Sequence, residues 1–107
     1  MSDPNKAIDY MILNGKFYAQ AKANRIYLEE YRKSLKAILM QKSLDGTLGG
    51  QERDAYAHAD YSALLQGLKE AVEIEETYRW NLIAAQARVE VWRTEQATAR
   101  AENRATM

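Results

Sequence analysis

Residues 60–104 most constrain the fold, because this stretch lacks proline and carries one repeating line of mainly apolar side chains. Members of the line are three or four residues apart, the spacing that keeps one side of an α-helix facing a partner. Such a helix spans roughly 65 Å at about 1.5 Å per residue, so it cannot bury that side against itself. We therefore predict a long helix that packs on a companion. Its inward positions are Tyr61, Leu64, Leu68, Ala71, Glu75, Tyr78, Leu82, Ala85, Val89, Trp92, Gln96 and Ala99.

The companion is predicted over residues 4–43. Asp3 can accept a first-turn N–H, and Pro4 at the first helical position loses nothing by lacking its own N–H. The matching spacing in the two helices predicts an antiparallel, coiled-coil-like hairpin. The inward positions predicted for the first helix are Ala7, Tyr10, Asn14, Phe17, Ala21, Asn24, Leu28, Tyr31, Leu35 and Ile38.

Residues 44–50 interrupt the helical pattern and contain three of the five glycines. Gly46 suits the left-handed residue that often ends a helix. We predict a short helix over 51–57, followed by Asp60 as the N-cap of the long helix. The fold class is therefore all-α, and residues 1–107 are expected to form a single helical domain.

Composition excludes several classes of protein. Fifteen basic residues balance fifteen acidic ones, so the chain has no overall attraction for nucleic acid or for an anionic membrane. Cysteine is absent, which removes disulfides, thiolate zinc sites and cysteine nucleophiles. The N-terminal residues lack the basic and apolar segments of a signal peptide, and no apolar run is long enough to span a bilayer. These features suit a protein of the reducing cytoplasm.

The long helix also carries a second apolar line, which a single hairpin partner does not cover. With two Trp and seven Tyr in 107 residues, the chain is rich in the aromatics that are enriched where chains meet. We predict self-association as a dimer or higher oligomer, or capture of a partner helix. The alternative is that residues 51–57 fold back over this line. The predicted interface consists of Leu65, Val72, Trp80, Ile83, Ala87 and Val91, and Ala84 lies on the same line.

The sequence contains no pattern typical of a catalytic or metal site. His58 is the only histidine and has no serine, cysteine or metal-ligand companion at a useful spacing, so a surface or capping role is favoured over a general base. The glutamates at 70, 73, 75 and 76 lack the Glu-x-x-His pattern of carboxylate-bridged metal sites and indicate an acidic helix face. We therefore expect no enzymatic activity, no cofactor and no metal.

One basic stripe on the first helix suggests an alternative function. Lys22, Arg25, Arg32 and Lys36 share one side of that helix, with tyrosines nearby for stacking on bases. An oligomer that aligned several copies of the stripe would form a nucleic-acid-binding protein. The simpler explanation is helix pairing, because residues 5–43 carry eight basic and three acidic residues whereas residues 60–92 carry six acidic and three basic ones.

Three stretches, YAQAKANRIYLEEYRKSLKAIL (18–39), QERDAYAHADYSALLQGLK (51–69) and WNLIAAQARVEVWRTEQATAR (80–100), resemble a family of small helical proteins encoded by tailed bacteriophages and prophages. The resemblance covers nearly the whole chain and includes no catalytic motif. Genes of that family lie in DNA-metabolism clusters, often near recombination functions. The resemblance implies a non-enzymatic phage accessory or adaptor protein that binds a protein of the DNA replication or recombination machinery.

Overall fold

A computed structural model describes residues 4–106 of the chain. It contains three helices, α1 (Pro4–Lys42), α2 (Leu48–Ala57) and α3 (Ala59–Thr106), and no strand within those residues. The predicted all-α helical hairpin with a short connecting helix is confirmed. Asp3, predicted to cap α1, lies outside the described residues.

Contacts group the chain into two compact units. The first unit, here the terminal unit, joins α1 up to Ala19 to α3 from Glu76 onward. The second, here the loop unit, runs from Gln20 to Glu75 and contains α2. Within each unit α1 and α3 pack against each other with their directions opposed.

The inward side of α3 follows the predicted line closely. Every predicted position from Tyr61 to Gln96 is buried or half-buried, and only Ala99 is exposed, contrary to prediction. Ala71, Glu75 and Ala85 are the most deeply buried of these residues. We call this set the inner seam of α3.

The inward side of α1 is displaced by one residue from several predicted positions. Asn24 is exposed and Arg25 is half-buried in its place, while Leu39 is 2% exposed and Ile38 is 41% exposed. At residues 24 and 31 the prediction failed because it passed over the neighbouring Arg25 and Arg32, although the long stem of arginine can lie along an apolar groove. Tyr31 and Phe17 are correspondingly more exposed than predicted. The inner seam of α1 is Ala7, Met11, Asn14, Tyr18, Ala21, Arg25, Leu28, Arg32, Leu35 and Leu39.

The connection between α1 and α2 is shorter than the predicted loop of residues 44–50. Helix α2 begins at Leu48 because Thr47 caps it, its hydroxyl accepting the N–H of Gly50 at 3.0 Å. Asp45 fixes the cap by accepting the N–H and the hydroxyl of Thr47 at 2.7 and 2.6 Å. No described glycine has a positive φ, so the left-handed conformation predicted for Gly46 is wrong.

Helix α2 packs at the loop end of the hairpin. Its Ala55 is fully buried against Leu35 and Leu39 of α1. Tyr61 and Leu64 of α3 are half-buried against the same cluster. This three-helix cluster is the main hydrophobic core of the loop unit.

Candidate interaction surfaces

The predicted interface on α3 lies on the surface of the chain. In the terminal unit, Trp80 is 59% exposed, Val91 53% and Ile83 38%, and Ala84 and Ala87 are exposed between them. The guanidinium of Arg79 lies 4.8 Å from the centre of the Trp80 ring. Large apolar side chains at successive turns of a helix therefore face outward.

The other two predicted interface residues, Leu65 and Val72, lie in the loop unit. Leu65 is 42% exposed and Val72 39% exposed. Helix α2 packs instead on Leu35, Leu39 and the start of α3. The alternative in which the short helix covers the second apolar line is therefore wrong.

A shallow depression continues this face toward the C-terminal end of α3. It is lined by Val91, Thr94, Thr98 and Ala99, with glutamates at its margins. All its lining residues belong to α3, so the depression is a strip of helix surface rather than an enclosed cavity.

Arg25, a member of the predicted basic stripe, lies in the hairpin interior. Its guanidinium donates to both oxygens of Glu75, at 2.6 and 2.9 Å, and to Glu29 at 3.1 Å. The Glu75 hydrogen bonds raise the pKa of Arg25 above its ordinary value. Glu75 is only 5% exposed, so a bidentate ion pair joins the two inner seams within the loop unit.

Lys36, at the other end of the stripe, is bound to α2. Its ammonium donates to Glu52 at 2.8 Å and lies 4.8 Å from the centre of the Tyr56 ring. The hydrogen bond raises the pKa of Lys36 and lowers that of Glu52. Arg32 is half-buried and Lys22 is exposed. The structure thus places two of the four stripe cations in contacts between helices.

His58 connects α2 to α3. The backbone N–H of Asp60 donates to Nδ1 of His58 at 3.0 Å, so the imidazole caps the first turn of α3. Asp60, predicted as the cap, is instead the second residue of the helix. The capping role favoured from the sequence agrees with this geometry.

Sequence reasoning missed two exposed apolar features on α1. Tyr27 and Tyr31 stack with ring centres 6.1 Å apart, and Tyr27 is 63% exposed. Ile12 is 75% exposed in the terminal unit. The heptad spacing of α1 could have predicted their exposure. Once Arg25 is assigned to the inner seam, Ile12, Tyr27 and Tyr31 lie outside it.

The described part of the chain contains no group of three or more potential metal-ligating side chains. Within the same residues, no helix combines the length and apolar character needed to cross a membrane. Comparison of the chain with protein-family models, with curated proteins and with solved structures gives no match.

Proposed function

We propose that the protein is a non-enzymatic helical adaptor that self-associates through the outward face of α3 in the terminal unit. The observation that carries the proposal is the exposure of Trp80, Ile83 and Val91 on one side of α3, within about three turns. Exposed apolar clusters that include tryptophan are typical of protein interfaces, because tryptophan contributes a large apolar area on association. The occupant of this face is a second copy of the chain.

The resemblance to phage-encoded helical proteins supports the wider role. In that role the oligomer is an accessory protein of a phage or prophage, and it binds a protein of the DNA replication or recombination machinery in the bacterial cytoplasm. The neutral overall charge supports protein binding over direct binding to nucleic acid. The contacts of Arg25 with Glu75 and of Lys36 with Glu52 support the same preference.

Light scattering on the full chain tests self-association. We expect the wild-type chain to have a mass that is a whole multiple of 12.2 kDa, and Trp80→Ala to shift the equilibrium toward the 12.2 kDa monomer. Ile12→Ala is the matched control, since it removes a comparably exposed apolar side chain from α1 of the same unit. A monomeric wild-type chain at high concentration would rule out self-association.

The same measurement with a short single-stranded oligonucleotide tests the nucleic-acid alternative. We expect the mass to be unchanged by the oligonucleotide at physiological salt. A mass that rises with oligonucleotide and returns in high salt would instead favour the basic stripe, because phosphate contacts release counterions and weaken steeply with salt.

A further inference from the structure

We infer that the second copy binds antiparallel, α3 against α3, along a heptad line on the outward side of the helix in the terminal unit. This inference rests on the proposed self-association. We call the line the outer seam. Its spacing alternates strictly between three and four residues, as in a coiled-coil core. The outer seam consists of Thr77, Trp80, Ala84, Ala87, Val91, Thr94, Thr98, Ala101 and Ala105.

All nine outer-seam residues are exposed in the single chain, and none is charged. Eight charged residues occur between positions 77 and 105, and every one lies off the line. A face turned permanently to solvent has no reason to exclude charge over four heptads. The exclusion therefore indicates that this face is covered by another helix.

The side chains of the outer seam suit a close helix pair. Alanine and threonine dominate the line and allow two helix axes to approach closely, while Trp80 and Val91 supply the larger apolar area. In an antiparallel pair with Val91 opposite Thr94 of the second copy, Trp80 faces Ala105 of that copy. The largest residue then packs against one of the smallest.

The charges beside the outer seam favour the antiparallel orientation. With Val91 opposite Thr94, Arg88 of each copy lies beside Glu95 of the other, which gives two opposite-charge contacts by symmetry. A parallel pair in register would instead place Glu90 beside Glu95 of the other copy twice. Like charges in these flanking positions oppose pairing.

The same charges select this register among antiparallel alternatives. Sliding one helix by a heptad in one direction brings Glu90 opposite Glu90 of the other copy. Sliding it by a heptad in the other direction brings Glu95 opposite Glu95 of the other copy and leaves Trp80 without a partner. The register with Val91 opposite Thr94 has no like-charge contact and keeps Trp80 covered.

Cysteine cross-linking tests the geometry, because the native chain has no cysteine. Two full-length variants are made, Val91→Cys and Thr94→Cys, one of them with a tag that changes its mass. Oxidised glutathione is the oxidant. Each variant is oxidised alone, and the two variants are also oxidised together in a 1:1 mixture. We expect rapid cross-linking in the mixture only, because residues 91 and 94 share a core layer and disulfides need Cα atoms within about 7 Å.

The possible outcomes separate this inference from the proposed self-association. An oligomer in which either variant cross-links rapidly to itself has parallel pairing or a different antiparallel register, and it overturns the inference alone. An oligomer without any cross-link places the interface elsewhere, which also overturns it. A chain that is monomeric by light scattering overturns the proposed self-association and the inference together.

A charge exchange provides a second test that does not depend on oxidation. Arg88→Glu and Glu95→Arg should each raise the dissociation constant of the dimer by about 2- to 30-fold, and the double variant should recover most of the wild-type affinity. Circular dichroism checks that helicity is unchanged. Additive losses in the double variant would exclude the contact between Arg88 and Glu95.

Discussion

Polar side chains in a five-residue connection determine where α2 begins. Asp45 holds Thr47, and Thr47 in turn accepts the N–H of Gly50. The two glycines at the start of α2 consequently have different surroundings. A Cβ at Gly49 would meet no atom within 4 Å, whereas a Cβ at Gly50 would overlap the Asp45 carboxyl group.

This difference predicts opposite effects of the same substitution at adjacent residues. Gly49→Ala should raise the free energy of unfolding by about 0.5–1 kcal/mol, because alanine loses less backbone entropy on entering a helix. Gly50→Ala should lower it, because Asp45 must move and release Thr47. Urea unfolding followed by circular dichroism measures both. Equal effects at the two positions would contradict the described cap.

At the scale of elements, the ion pair between Arg25 and Glu75 links the inner seams of α1 and α3 in the loop unit. A buried charge without its partner is costly, whereas a pair of apolar residues in place of both charges often leaves stability unchanged. The pair therefore specifies which α1 residue faces Glu75.

Single and double replacements of this pair should differ in the size of their effect on the melting temperature. Arg25→Met should lower the melting temperature by several degrees, because it leaves the Glu75 carboxylate buried without the guanidinium. Glu75→Leu should lower it less, because Arg25 keeps its contact with Glu29. The double variant should melt closest to wild type. Arg79→Met, which removes a half-exposed ion pair with Glu76, is the control in thermal unfolding.

The same pair shows what the sequence could and could not predict. The inner seam of α3 followed from spacing alone, because its apolar residues recur from Tyr61 to Trp92 with Glu75 as the single interruption. The α1 seam was misplaced at Asn24 because choosing Arg25 requires knowing that Glu75 faces it. The outer seam was only partly predicted, since Thr94 and Thr98 carry a weak apolar signal and become visible only when exposure and charge are considered together.

At the scale of the whole molecule, two carboxylates at the loop end link stability to pH. Hydrogen bonds from Thr47 lower the pKa of Asp45, and the hydrogen bond from Lys36 lowers that of Glu52. A carboxylate whose pKa is lower in the folded state stabilises the fold above its unfolded pKa. That contribution disappears as the pH falls through the folded pKa.

We therefore expect the melting temperature to fall as the pH is lowered from about 5 to about 3, the range that spans the ordinary carboxylate pKa values. The double variant Asp45→Asn/Glu52→Gln should melt lower than wild type at pH 7 and lose less on acidification. Asp9→Asn, at an exposed position on α1, is the control. If the melting temperatures of wild type and the double variant fell in parallel with pH, these two carboxylates would not be the cause of the lower stability in acid.

The heptad period shared by both inner seams and by the outer seam limits how the chain can change length during evolution. Inserting one residue into α3 rotates every later side chain by about 100°, which turns both seams of that helix away from their partners. Inserting seven residues restores both phases at once. Descendants of this sequence should therefore gain or lose length in whole heptads, with α1 and α3 altered by equal amounts, while single-residue insertions are confined to the connection around Gly46.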